Sequence, residues 1–289
     1  MRRVLVLGAT GLLGHRVAEV LKPQFDVVGS TSRQRIDDER FPQDQMACLR
    51  FGISAQNFKS VQQLIEDVQP LVIVNCIGIV KSRTEEVSSR DMEEVNARFP
   101  WRLAELCHGA QIRLIHISTD CVFSGSRGHY SESDPPDPVD AYGRTKLAGE
   151  PRIPGCLVLR TSFIGREYFS QRGLVEWFCA QRNGKVRGFR NARFSGVTTT
   201  VLARLLGKVI DQHPELEGTW HVAADKIDKD SLLKQLNTAL HLNVDVVPDD
   251  TFFCDRSLNG KAFREATGFQ APSWPEMVAE LAADSGNYE

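Results

Sequence analysis

The run VLVLGATGLLG, Val4 to Gly14, decides the fold. Four apolar residues, Val4-Leu5-Val6-Leu7, lead straight into Gly8-Ala9-Thr10-Gly11-Leu12-Leu13-Gly14, and a helical pattern follows. Leu13, Val17 and Val20/Leu21 recur at helical spacing and face a sheet, while Lys22-Pro23 ends the helix. Strand, glycine turn and helix start together form a cradle for a pyrophosphate. Glycine lets the backbone approach the phosphates, and the free N–H groups and dipole of the helix start attract anions. Glycines also mark plain turns, but the strand before and the helix after give this triplet its weight. Gly8, Thr10, Gly11, Leu12, Leu13 and Gly14 are therefore expected to bind a dinucleotide.

Working outward, Phe25-Asp26-Val27-Val28-Gly29 reads as the second strand, whose end meets the adenosine ribose. An acid there suits NAD(H); an Arg or small polar residue suits the extra phosphate of NADP(H). The chain has Ser30-Thr31-Ser32-Arg33, so Ser30, Ser32 and Arg33 are assigned to the cofactor and NADP(H) is favoured, with NAD(H) open. His15-Arg16 adds positive charge beside the loop, and a solvated Arg33 is the alternative. Strands then alternate with helices: strand Cys48 to Ile53, helix Ala55 to Val68, strand Leu71 to Asn75, helix Asp91 to His108 and strand Arg113 to Ile117. These strands are almost wholly apolar, as in a parallel sheet covered on both faces. Asn75-Cys76-Ile77-Gly78 stands at a strand's carboxyl end, where such sheets bind ligands.

Composition narrows the function classes. The chain has 289 residues, 42% hydrophobic and 25% charged, with a net charge of -2, so no basic excess points to nucleic acid. The apolar run Leu71 to Val80 is broken by Asn75 and is too short to span a bilayer. Met1-Arg2-Arg3 is not followed by a signal-peptide pattern, so a cytoplasmic protein is expected. Seven scattered cysteines without a CxxC pair, and seven histidines without ligand spacing, suggest neither disulfides nor a protein-held metal.

The reactive chemistry falls between His116 and Lys146. Ser118-Thr119-Asp120 closes the fifth strand, and Tyr142 and Lys146 stand four apart on one helical face. An ammonium beside a phenol is expected to lower the tyrosine pKa toward working pH, which suits a general acid for alkoxide protonation. Thr119 can polarise a ketone oxygen, and hydride must come from a nicotinamide.

With the glycine loop, Val95-Asn96, Tyr142-Gly143-Arg144-Thr145-Lys146-Leu147-Ala148-Gly149-Glu150 and Leu159-Arg160-Thr161-Ser162, the chain resembles the extended short-chain dehydrogenase/reductases. The resemblance is closest to the dTDP-4-dehydrorhamnose reductase-like branch, which reduces nucleotide-linked 4-keto sugars. It implies a Rossmann-type doubly wound parallel α/β sheet with a smaller, interleaved C-terminal substrate lobe. It makes Asn96 the fourth member of a catalytic tetrad with Thr119, Tyr142 and Lys146, and has Lys146 bind the nicotinamide ribose. Tyr142 and Lys146 thus join the cofactor set with Asn75, Cys76, Ile77 and Gly78. Phe51-Gly52-Ile53 lacks the Asp many relatives carry to contact adenine, so Ile53 serves there through its backbone. Relatives place Tyr, a dehydratase Glu or an epimerase Cys at the position of Cys121. The missing Glu opposes a dehydratase; Cys121 is either a pocket wall or a base, and Gly165-Arg166-Glu167-Tyr168 offers no partner His.

The second half is less regular. Leu174 to Gln181 is an apolar helix, and Lys185 to Phe194 interleaves four cations with two aromatics. RNA binding is one reading of such a segment, and a solvated strand another. The neutral overall charge favours holding a base and two phosphates through Arg187. Helix Val197 to Ile210 and strand Gly218 to Ala223 rejoin the cofactor domain, giving residues 1–162 plus 196–226 against a substrate lobe of 163–195 plus 227–289. Helix Ser231 to Leu240, strand Val244 to Val247, helix Lys261 to Thr267 closed by Gly268, and a capping box at Ser273-Trp274-Pro275-Glu276 complete the lobe. By resemblance Arg256 meets the pyrophosphate, with a structural pair to Asp255 as the alternative; Asp120, Cys121, Arg187 and Arg256 form the substrate set. The expectation is reduction of a nucleotide-linked 4-keto-6-deoxy sugar, with no nucleic-acid or membrane partner and a homodimer left open. Two alternatives stand beside it: an epimerase/reductase using Cys121, and a non-catalytic NADP-binding regulatory subunit like that of methionine adenosyltransferase.

Overall fold

A computed structural model describes residues 1–170 and 172–288. The chain begins with β1 (Arg3–Leu7), α1 (Gly14–Leu21), β2 (Asp26–Ser30), α2 (Gln43–Met46), β3 (Leu49–Arg50), α3 (Phe58–Val68) and β4 (Val72–Asn75). It continues through α4 (Ser89–Glu93), α5 (Phe99–Gly109), β5 (Arg113–Ile117), α6 (Ala141–Ala148), β6 (Cys156–Arg160), β7 (Phe163–Ile164) and α7 (Leu174–Cys179). Next come β8 (Lys185–Phe189), β9 (Ala192–Phe194), β10 (Val197–Thr198), α8 (Thr199–Gln212), β11 (Gly218–His221), β12 (Ile227–Asp228) and α9 (Lys229–Ala239). The last elements are β13 (Asp245–Asp249), β14 (Cys254–Asp255), α10 (Lys261–Thr267) and α11 (Trp274–Ala283).

Seven strands form one parallel sheet in the order β11-β6-β5-β4-β1-β2-β3. The order reverses between β1 and β4, which makes it doubly wound and puts the ligand crevice at their carboxyl ends. The apolar strands divide residue by residue between two cores, as the two-residue period of a strand requires. Val4, Val6, Val72, Val74, Ile115, Ile117, Leu157 and Leu159 join the layer that includes Val17 of α1 and Leu202 of α8. Leu5, Leu7, Ile73, Leu114, Cys156 and Val158 face Val61 of α3 and Leu103 of α5.

Smaller sheets follow: β8 beside β13, β7 beside β10, and β12-β9-β14. The expected strand from Cys48 shortens to two residues, and the expected helix Asp91 to His108 divides around a π turn at Glu94–Arg98 that carries Asn96. Such turns displace one residue from the regular ladder and frequently mark functional sites. The capping box at Ser273 forms, and Gly268 closes α10 with φ 66°. Among the described residues no helix is long and apolar enough to cross a membrane.

Candidate active site

The glycine loop is built by close backbone approach. Gly8 has φ +79°, and a Cβ there would meet Cys76 and Ile77 at 3.2 Å; a Cβ on Gly14 would strike the Gly8 carbonyl. The Ala9 N–H bonds the Ser30 carbonyl at 2.8 Å, fastening the loop to the end of β2. A cleft of about 490 Å³ opens above it. Gly8, Thr10, Gly11, Leu12, Ser32, Arg33, Ile53, Cys76, Ile77 and Gly78 line the cleft.

Other expected cofactor residues lie elsewhere. Leu13 is buried in the core, Ser30 is fully buried, and Asn75 lies beneath the cleft floor. Asn75 fixes that floor: its Oδ1 accepts the Ile77 N–H at 3.1 Å while its amide pairs with His116 Nδ1 at 3.0 Å. Burial holds His116 well below its ordinary pKa, so it is neutral there.

Arg33 is exposed and lies over the Phe169 ring, 4.2 Å from its centroid. Phe169, Glu167 and Ser170 also line the cleft, contributed by a loop with no recognisable local motif. His15 and Arg16 do not add charge to this cleft. His15 bonds the Tyr288 hydroxyl at 2.8 Å and is lowered to about 4 by burial, while Arg16 pairs with Glu19 and Asp284. The chain's last turn packs against the back of α1 and absorbs both residues.

Past the carboxyl end of β5 the chain carries Thr119, and α6 carries Tyr142 and Lys146. Asp140 starts α6 by accepting the Gly143 N–H at 2.7 Å, as an N-cap should. Gly143 is required because a Cβ would strike the Cys121 carbonyl, and Gly149 because one would strike the Asn96 carbonyl. These contacts press α6 against the strand end and the π turn. Asn96 clamps Ile79, its Oδ1 accepting the Ile79 N–H at 2.8 Å and its Nδ2 donating to the Ile79 carbonyl at 3.0 Å. A Cβ on Gly78 would lie 3.5 Å from Asn96 Oδ1 and 3.9 Å from Lys146 Nζ, so Asn96 and Lys146 converge under the cleft wall.

Lys146 is buried, donates to the Ile117 carbonyl at 2.7 Å, and is lowered to about 8 by burial, opposed by Glu150. Glu150 itself accepts from Ser118 at 2.6 Å and takes both nitrogens of the buried Arg160 fork at 2.9 and 2.7 Å. Tyr142 is half-buried within hydrogen-bond reach of Thr119, and burial pushes its phenol upward. The expected lowering by Lys146 is therefore absent: the lysine is tied to a backbone carbonyl, and desolvation dominates. Burial likewise pushes the Cys121 thiol up to about 12, reinforced by Asp120, so it is a neutral thiol at pH 7.

Asp120 is buried, accepts from Thr119 at 3.3 Å, and is raised by burial against the pull of Arg256. Arg256 donates to the Phe123 carbonyl at 2.9 Å and lies within electrostatic reach of Asp120 and Cys121. Arg187 stands apart from this group. It is exposed on β8, salt-bridged to Asp249 and bonded to Thr251 at 2.9 Å, so its fork is already occupied. Asp255 pairs with Lys226 and Ser257, leaving Arg256 to the site.

A glycine-floored cleft at the switch point of a doubly wound sheet, with Lys146 behind its wall and Thr119 and Tyr142 past the end of the adjoining strand, is the arrangement of the extended short-chain dehydrogenase/reductases. The chain belongs to the family described as RmlD substrate binding domain, whose model matches residues 1–236. A dTDP-4-keto-6-deoxy-D-glucose reductase of Streptomyces niveus is 32% identical over 168 residues, 56% of this chain and 52% of that protein. Methionine adenosyltransferase 2 subunit beta of Rattus norvegicus is 34% identical over 153 residues, 53% of this chain and 42% of that protein. The chain spans about half the length of the curated relatives it matches. A structure of dTDP-4-dehydrorhamnose reductase from Bacillus anthracis with NADP superposes with a TM-score of 0.80 at 24% identity, covering 99% of this chain and 100% of that one. That likeness establishes the fold.

Proposed function

We propose that the protein is an NADPH-dependent reductase of the 4-keto group of a nucleotide-linked 6-deoxy sugar. One observation carries this reading: Gly78 lines the cleft together with Gly8, Thr10 and Gly11 and has Asn96 and Lys146 directly behind it, while Thr119 and Tyr142 stand beside each other past the end of the neighbouring strand β5. The residues fit a dinucleotide, because side chains are missing where the backbone must approach phosphates and Arg33 lies open where the ribose would sit. Arg33 on Phe169, with no acid at the end of β2, favours the 2′-phosphorylated form.

A bound nicotinamide supplies the hydride. Tyr142 then gives its phenolic proton to the oxygen of the ketone as that oxygen gains charge. Its raised pKa keeps the proton in place at neutral pH. Thr119 exchanges its long 3.3 Å bond to Asp120 for the substrate oxygen and steadies the developing charge. The Lys146 ammonium supplies positive charge beneath the cleft, and Asn96 holds the Ile79 segment and α6 in register.

The test is turnover of 4-keto nucleotide sugars followed at the nicotinamide absorbance. Tyr142→Phe is expected to lower kcat by about 10²- to 10⁴-fold with cofactor binding intact; full activity in that variant rejects the mechanism. Arg33→Ala is expected to weaken NADPH about tenfold while leaving NADH unchanged. Equal effects on the two cofactors would reject the 2′-phosphate assignment. Epimerisation through Cys121 is disfavoured by its high thiol pKa. A non-catalytic role follows the likeness to the methionine adenosyltransferase subunit, and a stoichiometric enzyme partner without keto-sugar turnover would establish it instead.

A further inference from the structure

The three-stranded sheet β12-β9-β14 brings together residues that are distant in sequence. Asp228 and Asp255 both pair with Arg193, on opposite sides of β9. Arg256, one position beyond Asp255, turns to the opposite face of the sheet, the face of Phe194, and Lys229 opens helix α9 directly after Asp228. Lys229 Nζ lies 5.3 Å from the centroid of the buried Phe194 ring. The same ammonium is in electrostatic reach of Asp120, Cys121 and Cys254, and so is the Arg256 guanidinium.

Most neighbouring cations are already matched; Arg193 of β9, which has no salt bridge among the described residues, is in register with Asp228 and Asp255 rather than with Phe194. Lys81 pairs with Asp140, Lys226 with Asp255, and Lys185, Arg187 and Arg190 with Asp245, Asp249 and Asp250. Among the described residues no salt bridge engages Lys229 or Arg256. Two half-buried cations therefore face the buried Asp120, next to the Thr119 hydroxyl; Arg256 is also in electrostatic reach of Asp140, which already pairs with Lys81. The surplus positive charge calls for an anionic ligand, since a neutral sugar hydroxyl cannot balance it. An aromatic face under Lys229 fixes its ammonium without neutralising it.

We propose that Lys229 acts with Arg256 to grip the diphosphate of the nucleotide-linked substrate. This deepens the nucleotide-sugar reading and rests on it. Lys229 orients the substrate so that its ketone meets Thr119 and Tyr142. It takes no part in the proton transfer.

The experiment is calorimetric titration of the full chain, with NADPH present, against dTDP, UDP and GDP. The wild type is expected to bind at least one of them. Lys229→Gln and Lys229→Met should each weaken that diphosphate about tenfold or more, Lys229→Arg should retain most of the affinity, and NADPH affinity should stay within about twofold. In turnover the loss should fall on KM for the nucleotide sugar, with kcat largely kept. A wild type that binds NADPH but no nucleoside diphosphate overturns the nucleotide-sugar reading and this assignment with it. Diphosphate binding that is equal in wild type, Lys229→Gln and Lys229→Met overturns the role of Lys229 alone. NADPH and diphosphate lost in parallel in both neutral variants assigns Lys229 to the fold and also overturns the proposal.

Discussion

Two sets of cations in this chain differ in sequence and differ the other way in space. Lys185, Arg187 and Arg190 crowd β8 and the turn after it, yet each is salt-bridged to an aspartate between Asp245 and Asp250. Lys146, Lys229 and Arg256 are scattered along the chain, yet all three are at least half-buried around the end of β5. Exposed pairs contribute a median of about 0 to 1 kcal/mol. A cation held in a desolvated pocket acts at lower effective dielectric, so its charge reaches further and its loss costs more. Charge left over after pairing, rather than charged letters per segment, marks where a ligand belongs.

The strongest way to break this contrast is to attack the buried side. Glu150 holds Ser118 and the Arg160 fork at once, and the side chains of Arg160 and Glu150 are only 5% and 4% exposed. Glu150→Ala would leave a buried guanidinium unpaired, so a stability loss of about 3 to 5 kcal/mol is expected in urea unfolding. A loss below about 1 kcal/mol would put this network in the class of surface pairs and remove the distinction.

The next effect tests the charge on Lys146. Burial lowers it from 10.5 to about 8, so the ammonium is present below that pH and is lost as pH rises through it. The expected kcat/KM therefore falls above about pH 8, approaching tenfold per pH unit, because that ratio reports the groups of the free enzyme. A profile that stays flat to pH 10 would mean that Lys146 charge does not matter to turnover.

The same contrast explains which features were legible in the sequence. The glycine loop was readable because local backbone geometry demands those residues: Gly8 holds φ +79°, and a Cβ at Gly14 collides with the Gly8 carbonyl. Strand positions were readable from apolar runs, and the structure adds that alternate residues serve opposite cores. The upward push on Tyr142 was hidden, because it depends on how deeply α6 is pressed against Cys121 and the π turn. Phe169 under Arg33 was equally hidden, since its loop carries no spacing signal. Arg187 drew attention through its basic neighbours, but its acid lies 62 residues downstream and meets it only when β13 pairs with β8. Lys229 carries no local signal, being a single lysine in the first turn of an ordinary helix.

The smallest expected effect makes the sharpest comparison, because it pairs two arginines of the same lobe. Arg187 is 62% exposed and bound to Asp249, whose carboxyl is held down to about 2 chiefly by that arginine. Replacing it in Arg187→Gln removes a solvent-screened pair at the edge of a two-stranded sheet, so stability should change by less than about 1 kcal/mol. The KM for a nucleotide sugar should move less than about twofold, since Asp249 already occupies the fork that a phosphate would need. Arg256→Gln carries the same chemical change to the site beside Asp120, where the guanidinium is half-buried and free of a salt-bridge partner among the described residues. There KM is expected to rise about tenfold or more, through loss of a charge-assisted bond to the substrate. Steady-state kinetics on the two variants decides between them. Equal losses would mean that the β8 rim reaches the substrate after all, and that pairing in the folded chain does not predict which cations remain available.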